Sequence, residues 1–131
     1  MTHPNKAKGA SFERAVADYL ADHGHPNADR AYGAGRTDDR GDIAGVDGFA
    51  IQCKNVQRIE LAAFIDEAQE QALNRRVDNA AVVVKRRGKH VAHAYVVLDL
   101  ATFAAITATD DPRPVIDVES TVRPTTPENR P

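Results

Sequence analysis

The chain has 131 residues, of which 42% are hydrophobic and 27% are charged, with 17 basic and 19 acidic side chains. This length suits one domain with its own core, and the composition excludes a fibrous or wholly disordered protein. No strictly apolar run is longer than that of residues 80–84, far shorter than the roughly 20 residues of a membrane span, and no signal peptide is visible. The single cysteine, Cys53, excludes an intramolecular disulfide. We therefore expect a cytoplasmic protein without a membrane partner.

The first predicted elements are a loose polar segment over residues 1–8 and a helix over residues 9–23. Apolar residues at helical spacing form one face of this helix: Phe12, Val16, Tyr19 and Leu20. Residues 28–34 favour a short strand, and residues 33–41 form a polar, glycine-bearing loop.

After this loop the sequence predicts two strands, a helix, two further strands and a short final helix. These elements cover residues 42–45, 49–54, 60–76, 79–85, 91–98 and 99–106. Five of the seven prolines lie in residues 112–131, so residues 107–131 are typical of a tail or an extended arm. The order α-β-β-β-α-β-β-α predicts one α/β or α+β domain over residues 9–106, with a mixed sheet flanked by helices.

The turn between the first two of these strands decides which side chains meet. A two-residue loop would place Asp42 opposite Cys53, whereas a three-residue loop over residues 46–48 places it opposite Gln52. The three-residue loop is favoured because Gly48 then takes the left-handed position, where glycine carries no steric penalty. It also puts the larger apolar residues of both strands on one face: Ile43, Phe49, Ile51 and Cys53.

In this register a carboxylate, a carboxamide and an ammonium share the other face of the hairpin: Asp42, Gln52 and Lys54. The two oxygen donors suit a hard cation such as Mg²⁺, and the amine can orient a water or neutralise a phosphate. Glu13 supplies a second carboxylate if the first helix packs over the sheet. The alternative is a solvated sheet face with a weak ion pair.

Three pieces of the sequence follow each other in a particular order: Glu13, then Gly41-Asp42, then Ile51-Gln52-Cys53-Lys54-Asn55 ahead of an amphipathic helix. This arrangement resembles the PD-(D/E)XK nuclease superfamily, and within it Holliday junction resolvases of phage and actinobacterial type. The resemblance covers residues 9–106 and implies a restriction-endonuclease-like fold. It also implies a Mg²⁺-dependent endodeoxyribonuclease, with Mn²⁺ as a substitute. Such an enzyme would act as a homodimer on branched DNA in recombination and repair.

The resemblance also implies a role for each matching residue. Asp42 would bind the metal, Lys54 would act on the attacking water, and Glu13 would complete the metal environment. The main-chain carbonyl of Cys53 would be a further ligand. Gln52 would offer its carbonyl oxygen where the superfamily has Asp or Glu, and a neutral carbonyl binds Mg²⁺ more weakly than a carboxylate. This departure leaves open a catalytically weakened or inactive DNA-binding module of the same fold.

Residues outside the motif form a predicted DNA-binding set. Arg36 and Thr37 lie in the glycine-bearing loop and are suited to hold the DNA backbone, unless the loop is only a flexible surface segment. A basic run follows the buried strand and either grips DNA in a salt-dependent way or forms a solubilising turn: Lys85, Arg86, Arg87 and Lys89. On the second predicted helix, Gln69 is expected to point at the active sheet face, whereas Glu67 and Gln71 are assigned to solvent.

Overall fold

The computed structural model describes residues 4–31 and 42–109. Within these residues, three α-helices and five strands follow each other in the predicted order. They are α1 (Pro4–Asp22), β1 (Asp29–Arg30), β2 (Ile43–Ala44), β3 (Phe49–Lys54), α2 (Leu61–Arg75), β4 (Asn79–Val84), β5 (Tyr95–Val97) and α3 (Leu100–Thr107). None of these helices is both long and apolar enough to cross a membrane.

The strands form one mixed sheet in the order β1-β2-β3-β4-β5. β1, β2 and β3 are antiparallel neighbours, β3 and β4 run parallel, and β5 lies antiparallel to β4. α2 connects β3 to β4, because a parallel pair needs a long crossover between its strands. The predicted class, a mixed sheet with helices, is confirmed.

Alternation along β3 divides the core between the two faces of the sheet. On one face, α1 packs through Phe12 against Ile51 and Cys53. On the other face, α2 packs through Phe64 against Ala50. β4 contributes to both clusters, and five of its six residues are buried, as its continuous apolar run predicts. We call these two sides of the sheet the α1 face and the α2 face.

The β2–β3 hairpin has the predicted register. Ile43 pairs with Ile51, which leaves residues 46–48 as a three-residue loop. Gly48, the last residue of that loop, has a φ of 79°, the left-handed conformation expected of it. The apolar pattern and the turn chemistry therefore select the same pairing.

The boundaries of some elements differ from the prediction. α1 begins at Pro4 rather than at residue 9, so residues 4–8 are helical and not a loose segment. Proline is well tolerated in the first helical turn, where an amide N–H would lack a partner anyway. The strand predicted over residues 91–98 is reduced to Tyr95–Val97, because a 3₁₀ turn at Val91–His93 precedes it.

The predicted final helix is present and begins with a side-chain N-cap. Asp99 accepts a hydrogen bond from the Thr102 amide at 2.8 Å and begins α3. Hydrogen bonding by Thr102 lowers the pKa of Asp99. Residues 32–41 and 110–131 lie outside the described residues, so the predicted loop with Arg36 and Thr37 and nearly all of the predicted tail fall there.

Gly45, before the hairpin loop, gives a direct test of this packing. A Cβ on Gly45 would lie 2.0 Å from the carbonyl oxygen of Asn27, at a φ of 89°. A left-handed conformation costs an L-residue about 1–2 kcal/mol. We expect Gly45→Ala to lower the free energy of unfolding by more than that, which is measured as a lower urea midpoint. Gly48→Ala is the matched control, since its φ is 79° but its nearest contact is 3.8 Å away. Equal losses in the two variants would contradict this packing.

Candidate active site

Asp42 is fixed at the start of β2 by three hydrogen bonds. Its amide donates to the Ile51 carbonyl at 2.7 Å, and its carbonyl accepts from the Ala31 amide at 2.8 Å. Its Oδ2 accepts from the Cys53 amide at 2.8 Å. Strand amides point within the plane of the sheet. The carboxylate therefore lies in that plane, between the two faces, and opposite Gln52 in the register of the hairpin.

Gln52 and Lys54 project to the α2 face, where Glu67 contacts both. Lys54 Nζ donates to Glu67 Oε1 at 2.8 Å, and Gln52 Nε2 donates to Glu67 Oε2 at 3.4 Å. The Lys54 ammonium also lies 5.1 Å from the centroid of the Phe64 ring, within cation–π range. We call Gln52, Lys54 and Glu67 the α2-face cluster.

Gln52 is the most enclosed member of this cluster. Its side chain is 6% exposed, and its Oε1 is buried without a hydrogen-bond partner among the described residues. A buried polar group left unsatisfied costs about 1–3 kcal/mol, and such a group calls for a water, an ion or a ligand. This oxygen and the Asp42 carboxylate are hard donors of the kind that Mg²⁺ and Mn²⁺ take. The residues present therefore fit a divalent cation.

The helix that carries Glu13 packs over the sheet, with Phe12 as its buried anchor. It does so on the α1 face, away from Gln52 and Lys54. Glu13 Oε1 accepts from Arg30 Nε at 3.1 Å, and the two side chains are 24% and 26% exposed. Glu13 therefore engages a cation of the protein itself rather than the α2-face cluster.

The Cys53 thiol lies close to both predicted acidic residues. The pKa of this thiol is raised, first by burial and then by the negative charges of Asp42 and Glu13. Both carboxylates thus lie within electrostatic reach of one side chain on the α1 face. Across the described ranges, no three His, Cys, Asp or Glu side chains form a group suited to a metal. A cation here would need the amide oxygen of Gln52 or main-chain carbonyls as well.

A basic cleft opens beside the carboxyl ends of β3 and β4. One cavity of about 390 Å³ lies between α1 and the connection that follows β4, and two further cavities of about 120 and 540 Å³ adjoin it through Lys8 and Asn55. Its cationic side chains are Lys8, Lys85, Arg86, Arg87 and Lys89. No acidic residue of the described segments lines it. The basic run is therefore gathered at one cleft.

Lys8 joins this cleft although the sequence did not indicate it. Its contribution was missed because residues 1–8 were predicted to be loose, whereas α1 includes Lys8 from its first turns. The main chain also links the cleft to the α2-face cluster, since the Lys85 amide donates to the Lys54 carbonyl at 2.9 Å. The carboxyl ends of parallel strands meet at one edge of a sheet, so both features arise there.

The active-face residue predicted on α2 was the wrong one. Gln69 is exposed and its Nε2 donates to Asp99 Oδ2 at 2.8 Å, so it does not point at the sheet. Glu67 contacts the cluster instead, and Gln71 is only 1% exposed. Both lie at helical spacing from the buried Phe64, three and seven residues further on. That periodicity is the signal that could have found them.

Comparison of the chain with protein-family models, with curated proteins and with solved structures finds no match. Its function is therefore argued from the site.

We expect the Cys53 thiol to react slowly with Ellman's reagent at pH 8 in the folded protein, because burial and nearby negative charge keep the thiolate scarce. In urea it should react like an ordinary cysteine. Asp42→Asn removes one of these charges and should speed the native reaction, whereas Asp66→Asn, at an exposed site on α2, should not. Identical rates for the two variants would contradict the placement of Asp42.

Proposed function

We propose that this chain is a Mg²⁺-dependent DNA endonuclease of restriction-endonuclease-like fold, with Mn²⁺ as a substitute ion. It hydrolyses phosphodiesters of branched DNA and acts as a homodimer. The observation that carries the proposal is the β2–β3 register. It sets Asp42 opposite Gln52, which lies two residues before Lys54 on β3. The basic cleft opens at this end of the sheet.

The proposed cation would be held by oxygen atoms at the end of the hairpin. Asp42 offers a carboxylate fixed by the Cys53 amide, Gln52 offers its unpartnered Oε1, and the Cys53 carbonyl is a further donor. A cation bound there would stabilise the negative charge that develops on the phosphate. Lys54 donates hydrogen bonds to the attacking water, and its positive charge offsets the charge that develops on the phosphate. Glu13 completes the environment of the cation with its negative charge, from the α1 face, where it lies near the Cys53 thiol together with Asp42.

The basic cleft is the proposed path of the DNA backbone. Lys8, Lys85, Arg86, Arg87 and Lys89 supply positive charge without an acidic neighbour among the described lining residues. Such contacts set affinity and position rather than sequence preference. This lining agrees with a protein that selects DNA by its branched structure rather than by its base sequence.

A second candidate is a DNA-binding module of the same fold without efficient cleavage. The neutral Gln52 favours it, because it leaves the site with one carboxylate fewer than the superfamily pattern. In that case the protein binds junction DNA without nicking it in Mg²⁺ or Mn²⁺, and Gln52→Glu gains nicking activity.

For the endonuclease, we expect Asp42→Ala and Lys54→Ala each to slow Mg²⁺-dependent cleavage of a four-way junction by about 100-fold or more, because the first removes a ligand of the cation and the second removes the amine that acts on the water and the phosphate. Rates are measured on labelled junctions, with nicked, flapped and plain duplex DNA beside them. Asp66→Ala, an exposed change on α2, is the control and should cut normally. Full cleavage by either site variant would refute the assigned roles.

We expect DNA affinity to fall steeply between 50 and 200 mM salt, with a slope that reports phosphate contacts. Lys85→Ala together with Lys89→Ala should reduce that slope by about 2, at about 0.9 for each contact. Fluorescence anisotropy with a labelled junction measures it. Arg58→Ala, a basic change outside the cleft, is the matched control. An unchanged slope in the double variant would remove the cleft from the DNA path.

A further inference from the structure

The α2-face cluster contains a carboxylate that the β2–β3 hairpin alone does not supply. Glu67 reaches from α2 to both hairpin residues, 2.8 Å from Lys54 Nζ and 3.4 Å from Gln52 Nε2. Gln52 carries no charge, so the three predicted site residues of the hairpin carry one negative and one positive charge, from Asp42 and Lys54. Glu67 adds the second negative charge at the place where Gln52 lacks one.

Glu13 does not supply this charge to Gln52. It stands on α1, which packs against the α1 face, and its carboxylate is paired with Arg30 at 3.1 Å. Gln52 points the other way, toward α2. Of the two carboxylates, Glu67 is therefore the one that Gln52 meets.

We infer that Glu67 is a ligand of the divalent-cation site together with Gln52 and Asp42, and that it also positions Lys54. This inference rests on the proposed function for the role of the cation, but not for its binding. The Gln52 amide is more than nine-tenths buried, faces Glu67, and carries an oxygen without a partner among the described residues.

The chemistry of the two side chains explains how they would share an ion. Glu67 Oε1 holds the Lys54 ammonium, whereas Oε2 makes only a long contact of 3.4 Å with the Gln52 amide nitrogen. The terminal torsion of glutamine is broad and roughly two-fold, so a half-turn exchanges the amide oxygen and nitrogen. The Gln52 oxygen then faces Glu67 Oε2, and two facing oxygens are stable with a cation between them.

The fold holds Glu67 in reach of the sheet. It lies between Phe64 and Ala68, which both pack into the core on the α2 face. Its side chain is nevertheless 42% exposed, so an ion can reach it from solvent. The position thus combines a backbone fixed by the core with an accessible carboxylate.

The test is a titration of the whole chain with Mn²⁺ in the absence of DNA. Binding is measured by calorimetry and by the shift of the thermal midpoint. Glu67→Gln should weaken Mn²⁺ binding by about 10-fold or more. The exchanged pair Gln52→Glu with Glu67→Gln returns the carboxylate to the strand and should restore binding. Glu70→Gln, an exposed change on α2, is the control and should bind as the parent chain does. If Glu67→Gln fails to fold, Glu67→Asp keeps the charge at a shorter reach and should bind more weakly than the parent.

Two further readouts separate this inference from the proposed function. If the parent chain binds Mn²⁺ through Glu67 but cuts no DNA, the endonuclease proposal fails and the inference stands. If the chain cuts DNA and Glu67→Gln binds Mn²⁺ and cuts as well as the parent, the inference is overturned. Absence of Mn²⁺ binding to the parent chain also overturns it.

Discussion

The pairing of Ile43 with Ile51 is the constraint on which the rest of the site depends. Side chains alternate along a strand, so a slip of one residue would send Gln52 and Lys54 to the α1 face. Two features prevent the slip. The loop needs a left-handed residue at position 48, which Gly48 supplies. Just before β2, the Asp42 carboxylate accepts a hydrogen bond from the Cys53 amide. Turn chemistry and a side-chain hydrogen bond thus reinforce the apolar pattern.

The two helices have unequal roles around this hairpin. α1 supplies large apolar side chains such as Phe12 to its face of the sheet. α2 contributes the small residues Ala68 and Ala72 to the other face, which pack with Ala50 of β3 and Ala80 of β4. Small side chains leave room for a helix to lie near a sheet, and on this face the Glu67 carboxylate contacts Lys54. The alanine content of this interface is therefore part of the site.

What the sequence predicted well is encoded locally. The order of elements follows from apolar periodicity, the hairpin register from Gly48 and its flanking strands, and the start of α3 from the Asp99 cap. The errors concern how elements meet. On α2, the apolar Leu61 is exposed, whereas the polar Gln71 is buried. A stripe chosen by hydrophobicity alone misjudges a helix face that carries polar groups inward.

The same limit applies to the candidate site. Glu13 is on the predicted helix, but which face of the sheet that helix covers is a tertiary fact that periodicity does not contain. Glu67 was assigned to solvent because a charged residue on an amphipathic helix usually lies there. The metal, the DNA substrate and the homodimer stay predictions, since they concern molecules that a single folded chain does not include.

The parallel pairing of β3 and β4 has a mechanical consequence. The Lys85 amide and the Lys54 carbonyl are joined across the last rung of the sheet's central ladder. The backbone of Lys54 and the start of the basic run are therefore held side by side where β3 and β4 end. A DNA backbone bound by the basic run would lie at a distance from Lys54 that the spacing of the two strands sets. The hydrogen-bonded backbone of the sheet would then determine how the DNA is aligned.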